Sequence, residues 1–396
     1  VTCYACDMDK ELIERAEIVS RGCLIQKEYY TYTKNFIEYF SPMNGHAQLY
    51  QRTWLNEDGS VAYEEIINEV DGRQETQVYR FPNHVFYSKQ EFVAHFMRSL
   101  SLTDKDLLIL DRETDIGQAI FANKGAAKLV VIVHADHFSE NPAEKDYILW
   151  NNYYEYQFEY ADEVDYIINS TDAQTNLLKE QFAQYTNIKP KEILTIPVGS
   201  LDQLRHPEGE RKPFGLITAS RLASEKHIDW LIHSVVKAHE QLPEITFDIY
   251  GTGGERAMLE QLIHELNAEE YIRLMGHHHM ADVYRNYSAY LSASTSEGFG
   301  LTLLEAVGSG LPIIGFDVRY GNPTFIRDGE NGYLIPEARP DDLDAMTTEY
   351  AEKIVQLFTQ HSQEDLSRVS YEVAEPYLDE HIAQRWYDLV QSAQHQ

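Results

Sequence analysis

The chain has 396 residues, 64 of them acidic and 33 basic, for a formal net charge of -31 at pH 7. That balance disfavours non-specific binding to nucleic-acid phosphates or to an anionic bilayer, so an anionic ligand requires a local basic site. The length exceeds what one ordinary core supports, so two or three packed units with a cleft between them are expected.

No apolar run reaches the roughly 18 residues of a membrane span, and Asp7, Asp9 and Glu11 break the pattern of a secretory signal. A cytoplasmic protein with at most peripheral membrane contact is expected. Cys3, Cys6 and Cys23 are an odd set in a long chain, which argues against a disulfide framework. Cys3 and Cys6 lack a second nearby pair of zinc ligands, so they read as buried or half-buried strand cysteines.

Residues 1–98 read as strands joined by tight turns. Leu24 to Phe40 alternates in patches, and Gln48 to Trp54 and Val61 to Ile67 flank Asn56-Glu57-Asp58-Gly59, a hairpin signal because Asp-Gly takes the positive φ such turns need. Gln77 to Phe81 continues the pattern before a helix near Gln90 to Leu100. The result is an antiparallel β-meander whose aromatic residues require cover from a partner or from the rest of the chain.

From about residue 104 short buried strands alternate with helices: Leu107 to Leu110, Leu129 to His134, Val164 to Asn169 and Ile193 to Val198, with segments 117–127, 147–160 and 174–185 of helical length. This grammar implies a parallel sheet covered on both faces, here for residues 99–205. A polar link at 200–212, with Pro207 and Gly209, marks a boundary. Residues 206–375 repeat the alternation with strands at 214–219, 245–250, 272–274, 289–293, 312–316 and 333–335, and residues 376–396 hold a last helix. A doubly wound domain places its ligand outside the carboxyl ends of the strands.

Two cations, Arg221 and Lys226, follow the first strand of that domain, where both can reach a diphosphate. The alternative is a solvated basic pair. The strongest motif runs from Ser294 through Glu297-Gly298-Phe299-Gly300-Leu301 to Glu305. Its glycines let backbone N–H groups approach a ligand, and a helix starting near Gly300 offers orphan donors and positive partial charge to phosphate. Glu297 and Glu305 stand at opposite ends of this segment and can address opposite ends of an elongated ligand.

These residues resemble the donor-site signature of the retaining glycosyltransferases of family four, which have the GT-B fold of two Rossmann-like domains. The resemblance covers residues 104–396 and implies that Arg221 and Lys226 hold a donor diphosphate. It assigns the sugar to Glu297 with the Gly298, Phe299 and Gly300 amides, the ribose to Glu305, and the base to the backbone at Gly276 and His277. It also brings His134, at the end of a first-domain strand, to the donor sugar, and has the last helix cross back to the first domain. No metal is implied. His134 and His137 lack a third ligand, His277-His278-His279 diverge in direction, and Asp162-Glu163-x-Asp165 reads as a helix-to-strand turn.

A closer resemblance rests on the meander and on Asp111-Arg112-Glu113-Thr114, 147–154 and 218–222. It is to the catalytic A subunits of the O-linked N-acetylglucosamine transferases that prime serine-rich-repeat adhesins in Gram-positive bacteria, before accessory Sec export. This implies a UDP-sugar donor, UDP-GlcNAc first, a serine-rich acceptor protein, and a homologous non-catalytic B subunit paired through the meander. Members carry a segment ahead of the meander, with the first strand and a glycine-containing loop of the first Rossmann-like domain. Either the sequence is a piece of such a protein or its register starts late; that domain is expected to be N-terminally incomplete and the chain alone not fully active. The alternatives are a UDP-glucose transferase acting on protein or a cell-wall polymer, and a non-catalytic chaperone-like subunit. The intact Arg221, Lys226, Glu297 and Glu305 speak against the last. A Rossmann oxidoreductase is disfavoured because Gly251-Thr252-Gly253-Gly254 lacks the third glycine of its fingerprint.

Overall fold

Asn56-Glu57-Asp58-Gly59 closes a hairpin in the computed structural model: Asn56 N–H donates to Ser60 O, Gly59 takes φ +83°, and the Asp58 carboxylate accepts from the Ser60 N–H. The structure describes residues 1–7, 12–43, 45–70, 73–112, 115–139, 147–336 and 340–395. They form two bodies, Val1–Asp106 with Glu113–Ala127, and Leu107–Arg112 with Lys128–Gln396.

The first body is an eight-stranded antiparallel meander in strict sequence order. Its strands are β1 (Thr2–Asp7), β2 (Leu12–Ser20), β3 (Cys23–Tyr30), β4 (Lys34–Met43), β5 (His46–Leu55), β6 (Val61–Val70), β7 (Arg73–Arg80) and β8 (Val85–Phe86). Helices α1 (Lys89–Ser99) and α2 (Gly117–Phe121) complete it. Cross-strand aromatic pairs tie the strands: Tyr29 to Phe36, Phe36 to Trp54, Trp54 to Tyr63 and Tyr63 to Phe81, with centroids 4.3, 4.6, 5.8 and 4.8 Å apart. Beside this ladder Arg52 pairs with Glu38 at 2.7 Å and Glu65 at 3.0 Å, so two buried carboxylates share one cation. The Ser88 hydroxyl accepts from Glu91 N–H and the Glu91 carboxylate from Tyr87 N–H, which starts α1 at that point. Against expectation, Cys3 is an exposed free thiol, as is Cys23, while the Cys6 side chain lies outside the described residues. Cys3 lies on β1, an edge strand that pairs only with β2 among the described residues, and Cys23 opens β3 just after a turn.

The second body contains two parallel sheets. In the first, β9 (Leu107–Leu110), β10 (Lys128–Val133), β13 (Tyr166–Asn169) and β14 (Ile193–Thr195) lie in that order. A short antiparallel pair, β11 (Phe138–Ser139) and β12 (Leu149–Trp150), precedes α3 (Glu155–Glu159) and α4 (Asp172–Tyr185). A helix was expected across 147–160. Trp150 is instead extended, because its ring fills the space between Phe158 and Phe182, 4.9 and 5.4 Å away.

The second sheet holds β15 (Gly215–Ala219), β16 (Thr246–Tyr250), β17 (Ile272–Gly276), β18 (Ala289–Leu291), β19 (Ile313–Phe316) and β20 (Gly332–Ile335). Their spatial order is β17-β16-β15-β18-β19-β20, all parallel. Leu216, Phe247, Ile249 and Leu291 face α5 (Ile228–Gln241), α6 (Arg256–Glu265) and α9 (Leu343–Thr359). Ile217, Ala219 and Tyr290 face the other way, onto α7 (Leu301–Gly308), α8 (Gly321–Phe325) and α10 (Gln363–Ala374). Such a sheet reverses its winding between β15 and β18, and a crevice opens there. The final helix α11 (Asp379–His395) packs Ile382, Leu389 and Ala393 on Val130, Tyr166 and Ile168 of the first sheet. Leu201 and Leu378 bridge the two crossovers between the sheets.

Candidate active site

Both loops at the reversal point are shaped by backbone contacts. After β15 the Ser220–Leu222 turn rests on the loop after β16: Ser220 N–H donates to Tyr250 O and Leu222 N–H to Thr252 O. A Cβ on Gly251 would sit 1.8 Å from Ser220 O, and one on Gly253 2.2 Å from Leu222 O. Gly251 and Gly253 are therefore the bed for the cationic loop. A single 3₁₀ turn at Ser224–Lys226 swings Lys226 inward, and its Nζ lies 2.8 Å from Glu297 Oε2 and 3.2 Å from Ser294 Oγ. The Lys226 and Glu297 side chains are each 19% exposed, largely shielded yet open on one side.

Glu297 is also fixed through its main chain. Its carbonyl accepts from Tyr320 N–H at 2.7 Å and Gly321 N–H at 2.8 Å, while its N–H donates to Arg319 O. Gly300 takes φ +88° and begins α7; a Cβ there would lie 2.6 Å from Leu303, and no side chain caps this helix end. Phe299 is expected at the site through its amide; its ring is buried against Phe325 and Tyr377, and its backbone lies in the loop. Leu301 is exposed at the helix start. A Cβ on Gly298 would come within 2.9 Å of His134 O, so this glycine serves close approach to the first parallel domain.

A cavity of about 590 Å³ opens beside these loops, lined among others by Arg221, Tyr250, His277, Tyr284, Glu305 and Arg205. Glu305 accepts the Tyr284 hydroxyl at 2.9 Å. Burial raises the Glu305 carboxyl above its ordinary range, opposed by that bond and by Arg205 and His279. Gly276, at φ +78°, ends β17 and accepts from Gly251 N–H, which brings His277 to the cavity wall. Arg221 stands apart from the Lys226 pair: it is 78% exposed, bonded to Glu225 at 2.9 Å, at the cavity edge.

His134 follows β10, its Nε2 2.8 Å from Asp111 Oδ1 and its N–H donating to the Tyr154 hydroxyl oxygen. His137 is fully buried, with Nε2 2.6 Å from Gln181 Oε1 and Nδ1 facing Gln174 and the Tyr320 hydroxyl. Burial lowers its pKa to about 4, so the ring is neutral. Among the described residues no three His, Cys, Asp or Glu side chains converge as a metal site. Sequence reasoning missed Arg205, Tyr284, Asp111 and Tyr320 as partners of the site, and nothing in their spacing marks them.

Two family models match: the GtfA extended beta-sheet domain over residues 1–83, and the glycosyl transferases group 1 over residues 202–356. The chain is 53% identical over 395 residues to a Streptococcus pneumoniae serotype 4 protein named UDP-N-acetylglucosamine--peptide N-acetylglucosaminyltransferase GtfA subunit, covering 100% of this chain and 78% of that one. A solved structure of the pneumococcal O-GlcNAc transferase GtfA with UDP and GlcNAc superposes with a TM-score of 0.92 at 52% identity, over 100% of this chain and 77% of that one. A GtfA/B complex superposes with a TM-score of 0.86 at 52% identity and the same coverage.

Proposed function

Because this chain belongs to the family of GtfA glycosyltransferase subunits, we propose that it is a catalytic subunit that transfers N-acetylglucosamine from UDP-GlcNAc to serine and threonine hydroxyls of a peptide. Its loops at the sheet reversal hold the donor. Lys226 and Arg221 neutralise the diphosphate, the start of α7 adds its partial positive charge, and Glu297 with the amides of 298–300 accepts and orients the sugar. Glu305, held by Tyr284, addresses the ribose, and the segment Gly276 to His277 faces the base. His134 meets the sugar from the first parallel domain.

Charge builds on the leaving UDP as the sugar–phosphate bond breaks, and fixed cations and amides stabilise it without reorganisation and without a required metal. The acceptor hydroxyl attacks from the face that the diphosphate leaves and passes its proton to the departing phosphate oxygen, so the anomeric configuration is retained. The GtfA/B complex supports a B subunit as the partner; the meander is its docking domain and serine-rich-repeat adhesins are the acceptors in this reading, as the sequence resemblance implies. Among the described residues no helix is long and apolar enough to cross a membrane, and we place the enzyme in the cytoplasm, with at most peripheral membrane contact.

The observation that carries this reading is the 2.8 Å Lys226–Glu297 pair at the mouth of the second sheet. The test is transfer to a serine-rich peptide from a panel of UDP-sugars, with and without the B subunit and with and without chelator. UDP-GlcNAc should be the preferred donor, and activity should survive chelation. Preference for UDP-glucose, or activity lost to chelator and restored by a divalent cation, overturns it.

A further inference from the structure

We propose that Asp136 and His137 are positioning residues for Glu297, gripping from the first parallel domain the two residues that flank and anchor it. This rests on the reading of Glu297 as the donor-sugar carboxylate. Ser296, the residue before Glu297, donates its hydroxyl to Asp136 Oδ2 at 2.7 Å. Tyr320, whose N–H holds the Glu297 carbonyl, directs its hydroxyl to His137 Nδ1 at 3.3 Å and lays its ring nearly parallel to the imidazole. Gly298, the residue after Glu297, lies against His134 O. His134, Asp136 and His137 thus hold the chain on both sides of Glu297.

The chemistry of the brace is one-directional. Gln181 Oε1 takes the Nε2 proton of His137, which leaves Nδ1 as the acceptor that Tyr320 needs, a tautomer inferred from these partners. Gln174 steadies the same loop by donating to Ala135 O at 2.8 Å. Among the described residues Asp136 Oδ1 is buried without a hydrogen-bond partner, so the carboxylate engages Ser296 through Oδ2 alone. Catalytic groups need such bracing, since a shift of about 1 Å costs on the order of a hundredfold in rate.

The test uses the full chain with its B subunit and compares Asp136→Ala, Asp136→Asn, Ser296→Ala, Tyr320→Phe and Glu297→Gln. It reads kcat and KM for UDP-GlcNAc, the Kd of UDP alone, and the thermal midpoint. Asp136→Ala, Ser296→Ala and Tyr320→Phe should each lower kcat by roughly five- to tenfold, the effect of one lost hydrogen bond. The Kd of UDP, which lacks the sugar, should stay within about twofold, and Asp136→Asn, which keeps an acceptor for Ser296, should recover most of the turnover. In a Glu297→Gln background the same changes should add little, because they act through Glu297. Equal losses in UDP affinity and kcat, additive losses in the Glu297→Gln background, or a lowered midpoint with unchanged kcat overturn the proposal. Wild-type turnover in Glu297→Gln sinks the sugar-site reading itself. An impaired Glu297→Gln beside unimpaired brace variants sinks only the brace. Should Asp136→Ala fail to fold, Ser296→Ala and Tyr320→Phe, each deleting one hydroxyl, decide the matter.

Discussion

Replacing Lys226 by Met removes the ammonium and keeps most of the side chain's apolar bulk, so it isolates the charge. In the free protein the ammonium donates to Glu297 Oε2 at 2.8 Å and Ser294 Oγ at 3.2 Å, which uses two of its three protons. Loss of the pair strands a mostly shielded carboxylate. With both side chains 19% exposed, that costs about 1–2 kcal/mol of folding stability, less than for a fully buried pair. The catalytic loss is larger. A fixed donor to a developing oxyanion contributes about 2.7–4 kcal/mol, so turnover should fall by roughly a hundred- to a thousandfold. Initial rates of transfer to a serine-rich peptide, with the B subunit present and well below the melting temperature, separate this from unfolding. The double variant with Glu297→Gln should be little worse than the poorer single variant, since the two side chains form one unit. A Lys226→Met enzyme that keeps more than about a fifth of wild-type turnover, far above the loss expected of a transition-state donor, refutes the assignment of the diphosphate to this cation.

Arg221→Ala should slow transfer by on the order of a hundredfold while leaving the thermal midpoint unchanged, because the side chain is 78% exposed; a shifted midpoint at normal rate would assign it a structural role. Glu305→Gln should weaken UDP binding yet raise the stability of the ligand-free protein, since burial disfavours its charged form; calorimetry with UDP and a thermal melt without it check both signs. The His137 imidazole titrates near 6.5 when unfolded and near 4 when folded. Above pH 6.5 both states hold it neutral; as pH falls towards 4 the unfolded chain takes up a proton that the folded one refuses, and about 3 kcal/mol of stability drains away. His137→Gln should flatten that slope in urea unfolding measured across the window, and an unaltered slope would refute the neutral bridge. Gly300→Ala should destabilise the loop by more than about 1 kcal/mol, because a left-handed backbone is strained in alanine and its Cβ meets Leu303; an unchanged midpoint would deny the strain.

Period, turn residues and loop glycines are local properties, and they sufficed for the meander, the alternation of both parallel sheets and the segment from Glu297 to Glu305. The hairpin at Asn56–Gly59 and the helix start at Gly300 depend on φ values that neighbouring residues impose, so a reading along the chain finds them. Trp150 shows the limit: a helical length was legible, but the ring's burial between Phe158 and Phe182, the latter 32 positions away, overrode it. The site divides in the same way. The cationic loop and the acidic, glycine-rich loop were readable because each is short and chemically dense. Their meeting was settled only by the order β16-β15-β18, which sets two distant loops at one crevice. Tertiary packing alone chose Tyr284 for Glu305, Asp111 for His134 and Tyr320 for His137, since a hydrogen bond spans about 3 Å in space and has no fixed separation along a chain. It also sent Lys226 inward and left Arg221 in solvent, a distinction that two cations five residues apart cannot carry in sequence.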